Sequence, residues 1–309
     1  MGRCRAWGAV ARVVVVAVLA AGSWGCSPKR LAVDALGDAL AGGGAAYARD
    51  NDPELIRDAL PFALKTMEGL LEESPSHLGL LLAGASGFTQ YAYAFLDQEA
   101  DYREDSDLEG ATALRRRALG LYRRATEYGL RGLEAAAPGF RTGLRSDAPA
   151  ALGRLVPAQV PLLYWTAASW GAAISLAKHD PELSADLSLT AALMERALAL
   201  DEGFGLGAAH DFFIAYDGGR PAAAGGSAER ARRHLERALV LAKGQRAAPL
   251  VTFAETVSVG TQNRLEFTRL LGEALAVDVD AAPDQRLANL LSQRRARWLL
   301  GRADQLFLE

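Results

Sequence analysis

A small residue followed by leucine recurs late in the second helices of successive helical hairpins, as Gly132-Leu133, Ala197-Leu198, Ala238-Leu239 and Ala274-Leu275. The leucines lie 65, 41 and 36 residues apart, an interval that contracts toward the period of about 34 residues at which helix–turn–helix units stack into solenoids. A chain built on such a repeat is a curved stack of antiparallel helices, each unit burying its apolar face against the next. That architecture offers a binding surface rather than a catalytic cleft. No segment shows the sustained two-residue alternation of a strand.

The helical units read as follows. Asp52-Pro53-Glu54 starts a helix, with aspartate at the N-cap and proline in the first turn, and Ser74-Pro75-Ser76 ends it. Leu60, Leu64, Met67 and Leu71 give it one apolar face. A second helix runs over residues 78–100, and the acidic segment 99–109 reads as a loop or helix end. An arginine-rich helix over residues 111–137 stops at Pro138-Gly139. Residues 143–159, holding Pro149 and Pro157, read as a linker before the strongly apolar helix 160–178. Helices over residues 187–200 and around 210–216 follow, then a glycine-rich loop at 218–226. Ser227 starts the helix that carries Ala231, Leu235, Ala238 and Leu239. Residues 249–259 and 263–277 form one more hairpin, and 284–309 a long final helix. Leu287, Leu291 and Trp298 can pack inward while Arg294, Arg295 and Arg302 stay hydrated, as suits a capping helix.

Ahead of the helices stands an address label. Arg3, Arg5 and Arg12 precede an apolar run over residues 13–21, which is too short to span about 30 Å of hydrocarbon, and small residues then lead to Cys26. This is the pattern of a bacterial lipoprotein signal over residues 1–25, with Cys26 the lipid-bearing residue. Gly25-Cys26 fits the usual lipobox, whereas Ser23 and Trp24 depart from it. Residues 26–52, with Gly42-Gly43-Gly44, read as a flexible tether, and residues 53–309 as one helical-repeat domain. Removing the leader takes away three arginines and leaves 31 basic against 37 acidic residues, a net charge of −6. Nothing in that balance favours nucleic acid. A single remaining cysteine leaves no disulfide, so stability rests on the core.

Four stretches carry a family resemblance: Tyr164-Trp165-Thr166-Ala167-Ala168-Ser169-Trp170-Gly171-Ala172-Ala173-Ile174; His210-Asp211-Phe212-Phe213-Ile214 through Tyr216-Asp217-Gly218-Gly219-Arg220-Pro221; Ala254-Glu255-Thr256-Val257-Ser258-Val259; and Leu287-Ala288-Asn289-Leu290-Leu291-Ser292-Gln293-Arg294-Arg295-Ala296. They resemble the T-component lipoproteins associated with TRAP transporters, with Gly260 standing where that pattern has proline. The resemblance implies an all-α fold of degenerate tetratricopeptide-like αα-hairpins forming a superhelix with a C-terminal capping helix. It implies a periplasm-facing lipoprotein of the cell envelope, at the outer membrane. Such a protein would partner a periplasmic solute-binding P-component, form a homotrimer as one available assembly, and pass a small apolar or organic-acid ligand.

Candidate ligand or channel residues are Trp165, Trp170, Phe212, Tyr216, Glu255, Asn289 and Gln293. Trp165 and Trp170 sit about 140° apart on a helix, so they cannot share a face; one lining an inner channel and both filling core are alternative readings. Glu255 is either a polar point in that channel or part of a solvated face, and Asn289 and Gln293 raise the same two alternatives. Arg220, in the glycine-rich loop, is the candidate contact to a partner. That loop lacks the Gly-Lys-Ser/Thr ending of a phosphate-binding loop. His77, His179, His210 and His234 show no metal-ligand spacing, and Ser86 lies outside any nucleophile elbow. The sequence thus points to a non-enzyme without cofactor or metal. A protein-only scaffold of the cell envelope, holding no small ligand, is the rival reading.

Overall fold

The side chain of Asp52 caps the first helix of the folded body: its carboxylate accepts from Glu54 N at 3.1 Å and Leu55 N at 3.0 Å, and Pro53 occupies the first turn, where no N–H is needed. The helix it starts, Pro53–Glu73, buries Ile56, Leu60, Leu64, Met67 and Leu71 along one face. The computed structural model describes residues 28–308, and among these it is all-helical with no strand. The leader and Cys26 lie outside the described residues.

In chain order the helices are α1 (Pro28–Gly42), α2 (Gly44–Ala48), α3 (Pro53–Glu73), α4 (Leu78–Ala92), α5 (Gln98–Arg103), α6 (Leu108–Ala136), α7 (Phe140–Ser146), α8 (Ala148–Gly153) and α9 (Val160–Leu176). There follow α10 (Pro181–Ala185), α11 (Leu187–Leu200), α12 (Ala208–Gly218), α13 (Ala228–Ala242), α14 (Ala248–Phe253), α15 (Arg264–Leu275), α16 (Arg286–Gly301) and α17 (Ala303–Leu306). Two π-helical turns, Tyr93–Asp97 and Ala254–Ser258, extend α4 and α14 without a break.

Inner helices α4, α9, α12 and α14 pair with α6, α11, α13 and α15, and α4 also packs on α9 and α12 on α14. All four small-residue–leucine anchors fall late in the outer members of these pairs. Their small residues are buried, and on α6 the next inner helix, α9, passes directly over them: a Cβ on Gly132 would stand 2.6 Å from Leu162 Cδ2, and one on Gly129, a turn earlier, 2.1 Å from Thr166 Oγ1.

Two expectations need correction and a third is refined. Residues 143–159 are not a linker. They contain α7, α8 and a 3₁₀ turn, and Phe140, Leu144, Leu152 and Leu155 are buried in the core shared by α6, α9 and α11. This inserted layer accounts for the widest anchor interval. Residues 28–48 are helical rather than an open tether, with Ser74 Oγ donating to Asp34 Oδ1 at 2.7 Å and His77 Nε2 3.2 Å from Asp34 O. The glycine run only separates α1 from α2. The acidic stretch 99–109, read as a loop or helix end, holds a helix end: helix persists to Arg103, three residues beyond the expected limit, because Arg103 pairs with Glu99 one turn back and Arg115 holds Asp101 and Glu104.

The C-terminal segment departs further from a simple cap. It is broken at Arg302, and α16 reaches back to the start of the fold: Leu287 and Leu291 pack against the α3–α4 core, while Ala296 and Leu299 belong to the core of the last hairpins. Arg294 bridges Glu54 and Glu99 at 3.2 and 3.0 Å, and Arg302 meets Asp105. Arg295, expected to be hydrated, keeps only 7% of its side chain exposed. The stack of hairpins is therefore closed into a ring, with α16 as the closing member. Gly129→Val should cost about 1–3 kcal/mol through overpacking against buried Thr166, read as a lower denaturant midpoint at unchanged slope; an unchanged midpoint would show that α6 and α9 are not in close contact.

Candidate functional site

Each inner helix keeps accessible positions on one stripe: Ser86, Gln90, Tyr93 and Asp97 along α4 and its π-turn, and Tyr164, Trp165, Ala168 and Ala172 on α9. Asp211 and Ala215 continue the lining on α12, and Thr252 and Glu255 on α14 and its π-turn. Tyr93 is 51% exposed, yet protein surrounds it so fully that desolvation, with the Glu255 charge second, pushes its phenol up to about 12. Tyr164 is likewise driven to about 12, by desolvation and then by Asp211, and it senses Tyr93 across the interior. Accessible area combined with strong desolvation puts both rings on the concave inner side of the hairpin stack, the hollow that its helices curve around.

Two buried ion pairs set its electrostatics. Arg295 Nη2 lies 2.7 Å from Asp101 Oδ2 and donates also to Glu255 Oε1, while its guanidinium stacks 4.3 Å from the Trp298 ring centre. Arg246, 8% exposed, pairs with Asp211 and donates to Leu206 O at 3.4 Å. Among the described residues no arginine is hydrogen-bonded to Asp97. Desolvation first and Asp101 second raise it to about 6, against the hydrogen bond that Tyr122 donates at 3.1 Å.

Both π-turns border the Arg295 cluster, one supplying Tyr93 and Asp97 and the other Glu255. A π-turn inserts a residue into the helical register, and here each insertion falls where a polar side chain is aimed inward.

The sequence candidates separate on this frame. Trp165 lies on the inner stripe, edge-on to Tyr164 at 4.9 Å. Trp170 is 5% exposed in the core, with Arg145 over its ring, so it does not line the hollow. Phe212 fits against Gly171 and stacks on Tyr216 at 5.8 Å, and the Arg220 guanidinium lies 3.6 Å from the Tyr216 ring centre. Arg220 also donates to Tyr216 O and Ala224 O, folding the glycine-rich loop onto α12.

The amides of Asn289 and Gln293 are taken up by backbone. Asn289 accepts from Ala247 N and donates to Gln245 O, whereas Gln293 donates to Ala274 O, Leu275 O and Val277 O at the end of α15. Both are buried ties that hold α16 in place.

Tyr93, Asp97, Asp101, Asp211, Arg246 and Arg295 were missed as site residues. The aspartates at 97 and 101, one turn apart after an apolar helix, were the legible signal. His210 and His234, scattered in sequence, meet with Nδ1 atoms 2.8 Å apart; burial first, then His210, lowers His234 to about 4. Two depressions on the outer surface, of 490 and 270 Å³, are lined by other residues, including Leu108 and Arg116 in one and Glu68 and Tyr128 in the other.

Residues 49–307 match the family model described as TRAP transporter T-component. The chain belongs to that family. It is also similar to a protein of Treponema pallidum (strain Nichols) described as uncharacterized, 30% identical over 303 residues that take in 92% of this chain and 94% of the relative. Membership makes this T-component an accessory part of a TRAP transport system, a transporter subunit of the cell envelope. No helix among its described residues is long and apolar enough to cross a membrane.

Asp97 supplies a pH test. Its raised pKa means that the folded state holds a proton the unfolded state releases between about 4 and 6, so its ionisation opposes folding above that range. Asp97→Asn should match the parent in stability near pH 4 and exceed it by roughly 2–3 kcal/mol at pH 7. Chemical denaturation across that range reads the difference, and a pH-independent difference would place Asp97 outside a desolvated interior.

Proposed function

We propose that this T-component is a lipoprotein anchored through Cys26, facing the periplasm from the outer membrane, which docks a periplasmic solute-binding P-component and receives a hydrophobic or organic-acid ligand from it. The enclosed, accessible aromatic surface of Tyr93, Tyr164 and Trp165 carries this reading. An interior that only held helices together would fill with side chains at crystal-like density, and accessible rings would have no place in it. Rings facing an interior space offer an apolar ligand its largest gain in buried area. Glu255 supplies a polar group beside them. Phe212 and Tyr216 support the lining from α12, and Arg220 holds the adjoining loop in position for a partner. The homotrimer belongs to the same proposal, as one way several such interiors would be presented to P-components.

Native mass spectrometry of the purified protein mixed with a candidate P-component should give a mass for the complex and a co-purifying small molecule. Finding neither would replace this reading with that of a scaffold. Separately, Cys26→Ala should move the protein from the membrane to the soluble fraction on cell fractionation, and persistent membrane retention would contradict the lipid anchor.

A further inference from the structure

Helix α1 begins at Pro28, two residues after Cys26, and from Asp34 onward it is fixed to the α3–α4 turn. Ser74 Oγ donates to the Asp34 carboxylate at 2.7 Å. His77 Nδ1 accepts from Leu80 N at 3.2 Å as the N-cap of α4, which leaves its Nε2–H, 3.2 Å from Asp34 O, to donate to α1. A Cβ on Gly37 would stand 2.9 Å from His77 Nε2 and 3.0 Å from Leu80 Cδ1, so α1 lies directly on the start of α4. A lipid on Cys26 is therefore held within about 16 Å of Ser74, the reach of two extended residues and less than two helical turns. That reach is short beside the ring: α4, its π-turn and α5 run unbroken from Leu78 to Arg103, about 39 Å.

The two ends of the ring differ in chemistry. At the α1 end, Arg131 donates to Pro75 O at 2.8 Å and Arg154 to Pro138 O at 3.0 Å, which joins the α3–α4 turn to the loop before α9. Leu78, 45% exposed, and Val156, 53% exposed, stand out there, with exposed Arg154 in the same loop as Val156. At the other end the α5–α6 turn exposes Glu104, Asp105, Asp107 and Glu109. Apolar and cationic side chains suit a bilayer surface with anionic head groups, and a row of carboxylates is repelled by it. Resting on the lipid anchor proposed above, we infer that α1 is a rigid strap rather than a spacer: it holds the end of the ring around Leu78 and Val156 against the bilayer and turns the α5–α6 rim away from it.

Cys4 leaves with the leader and Cys26 carries the lipid, so one introduced cysteine is the only thiol open to a fluorophore. The protein purified from membranes, carrying Ser76→Cys at the α3–α4 turn or Ser106→Cys at the rim, is labelled and reconstituted into phosphatidylcholine–phosphatidylglycerol vesicles doped with nitroxide-labelled lipid. The label at position 76 should be quenched several-fold more than the label at position 106. A flexible Gly-Ser insert of about ten residues after Ser27, spanning roughly 17 Å, keeps the anchor and should shrink that difference. Equal quenching, or stronger quenching at position 106, overturns the inference and leaves the lipid anchor standing. A difference that the insert leaves unchanged also overturns it, since α1 would then not set the orientation. If the protein does not float with the vesicles, anchor and inference both fall.

Discussion

The closure of the ring depends on Arg295. A linear stack of hairpins has two free ends, each with an apolar face that needs covering. Here one helix serves both ends, and its central arginine is held between Asp101, 194 residues earlier, and Glu255, 40 residues earlier. Burying a guanidinium costs several kcal/mol, which two carboxylates and the Trp298 ring offset. The cluster therefore specifies register more than it adds stability: α16 can slide along neither neighbour without leaving a buried charge unpaired. Cohesion along the rest of the seam comes from Leu287, Leu291, Ala296 and Leu299. The pairs at Arg294 and Arg302, with partners substantially exposed, contribute little.

Much of this fold was legible because its signals are local. Asp52, Ser227 and Asn263 each announce a helix start through a side chain that accepts from the backbone two or three residues on, and all three do so. The small-residue–leucine anchors were readable because close helix approach demands a small side chain at a fixed place in each unit. The inserted layer α7–α8 was not readable, since Pro149 and Pro157 sit in first turns, where proline starts a helix as readily as it interrupts one. Residues 28–48 looked like a tether because their own apolar pattern is weak; their helix is completed by Ser74 and His77 of the next hairpin.

The site was less legible than the fold. Tyrosine and tryptophan at positions 164, 165 and 170 look alike in sequence, and only the position of α11 and α7 decides that Trp170 is covered while Trp165 faces inward. Asn289 and Gln293 looked like ligand groups because polar residues on an apolar helix face need partners, and the partners are carbonyls and an amide of neighbouring helix ends. Arginine on a final helix reads as a solvated edge. Its burial at position 295 is set by acids remote in sequence, which no local pattern encodes.

The π-turns tie closure to the interior. A regular α-helix through Tyr93–Asp97 would place the residues that follow about 100° away on the helix surface, turning Asp101 off the Arg295 axis. The widened turn rotates that side chain onto it, and Glu255 reaches the same arginine from within the second π-turn, at some loss of backbone hydrogen-bond quality in both. That loss falls on the two helices that line the hollow and border the seam, so the wall nearest the closing helix is the least regular part of the ring. A ligand wall and a closure that share the same carboxylates cannot be altered independently. Any group that draws Glu255 toward the interior weakens its hold on Arg295, and any loosening of α16 frees Glu255 to turn inward.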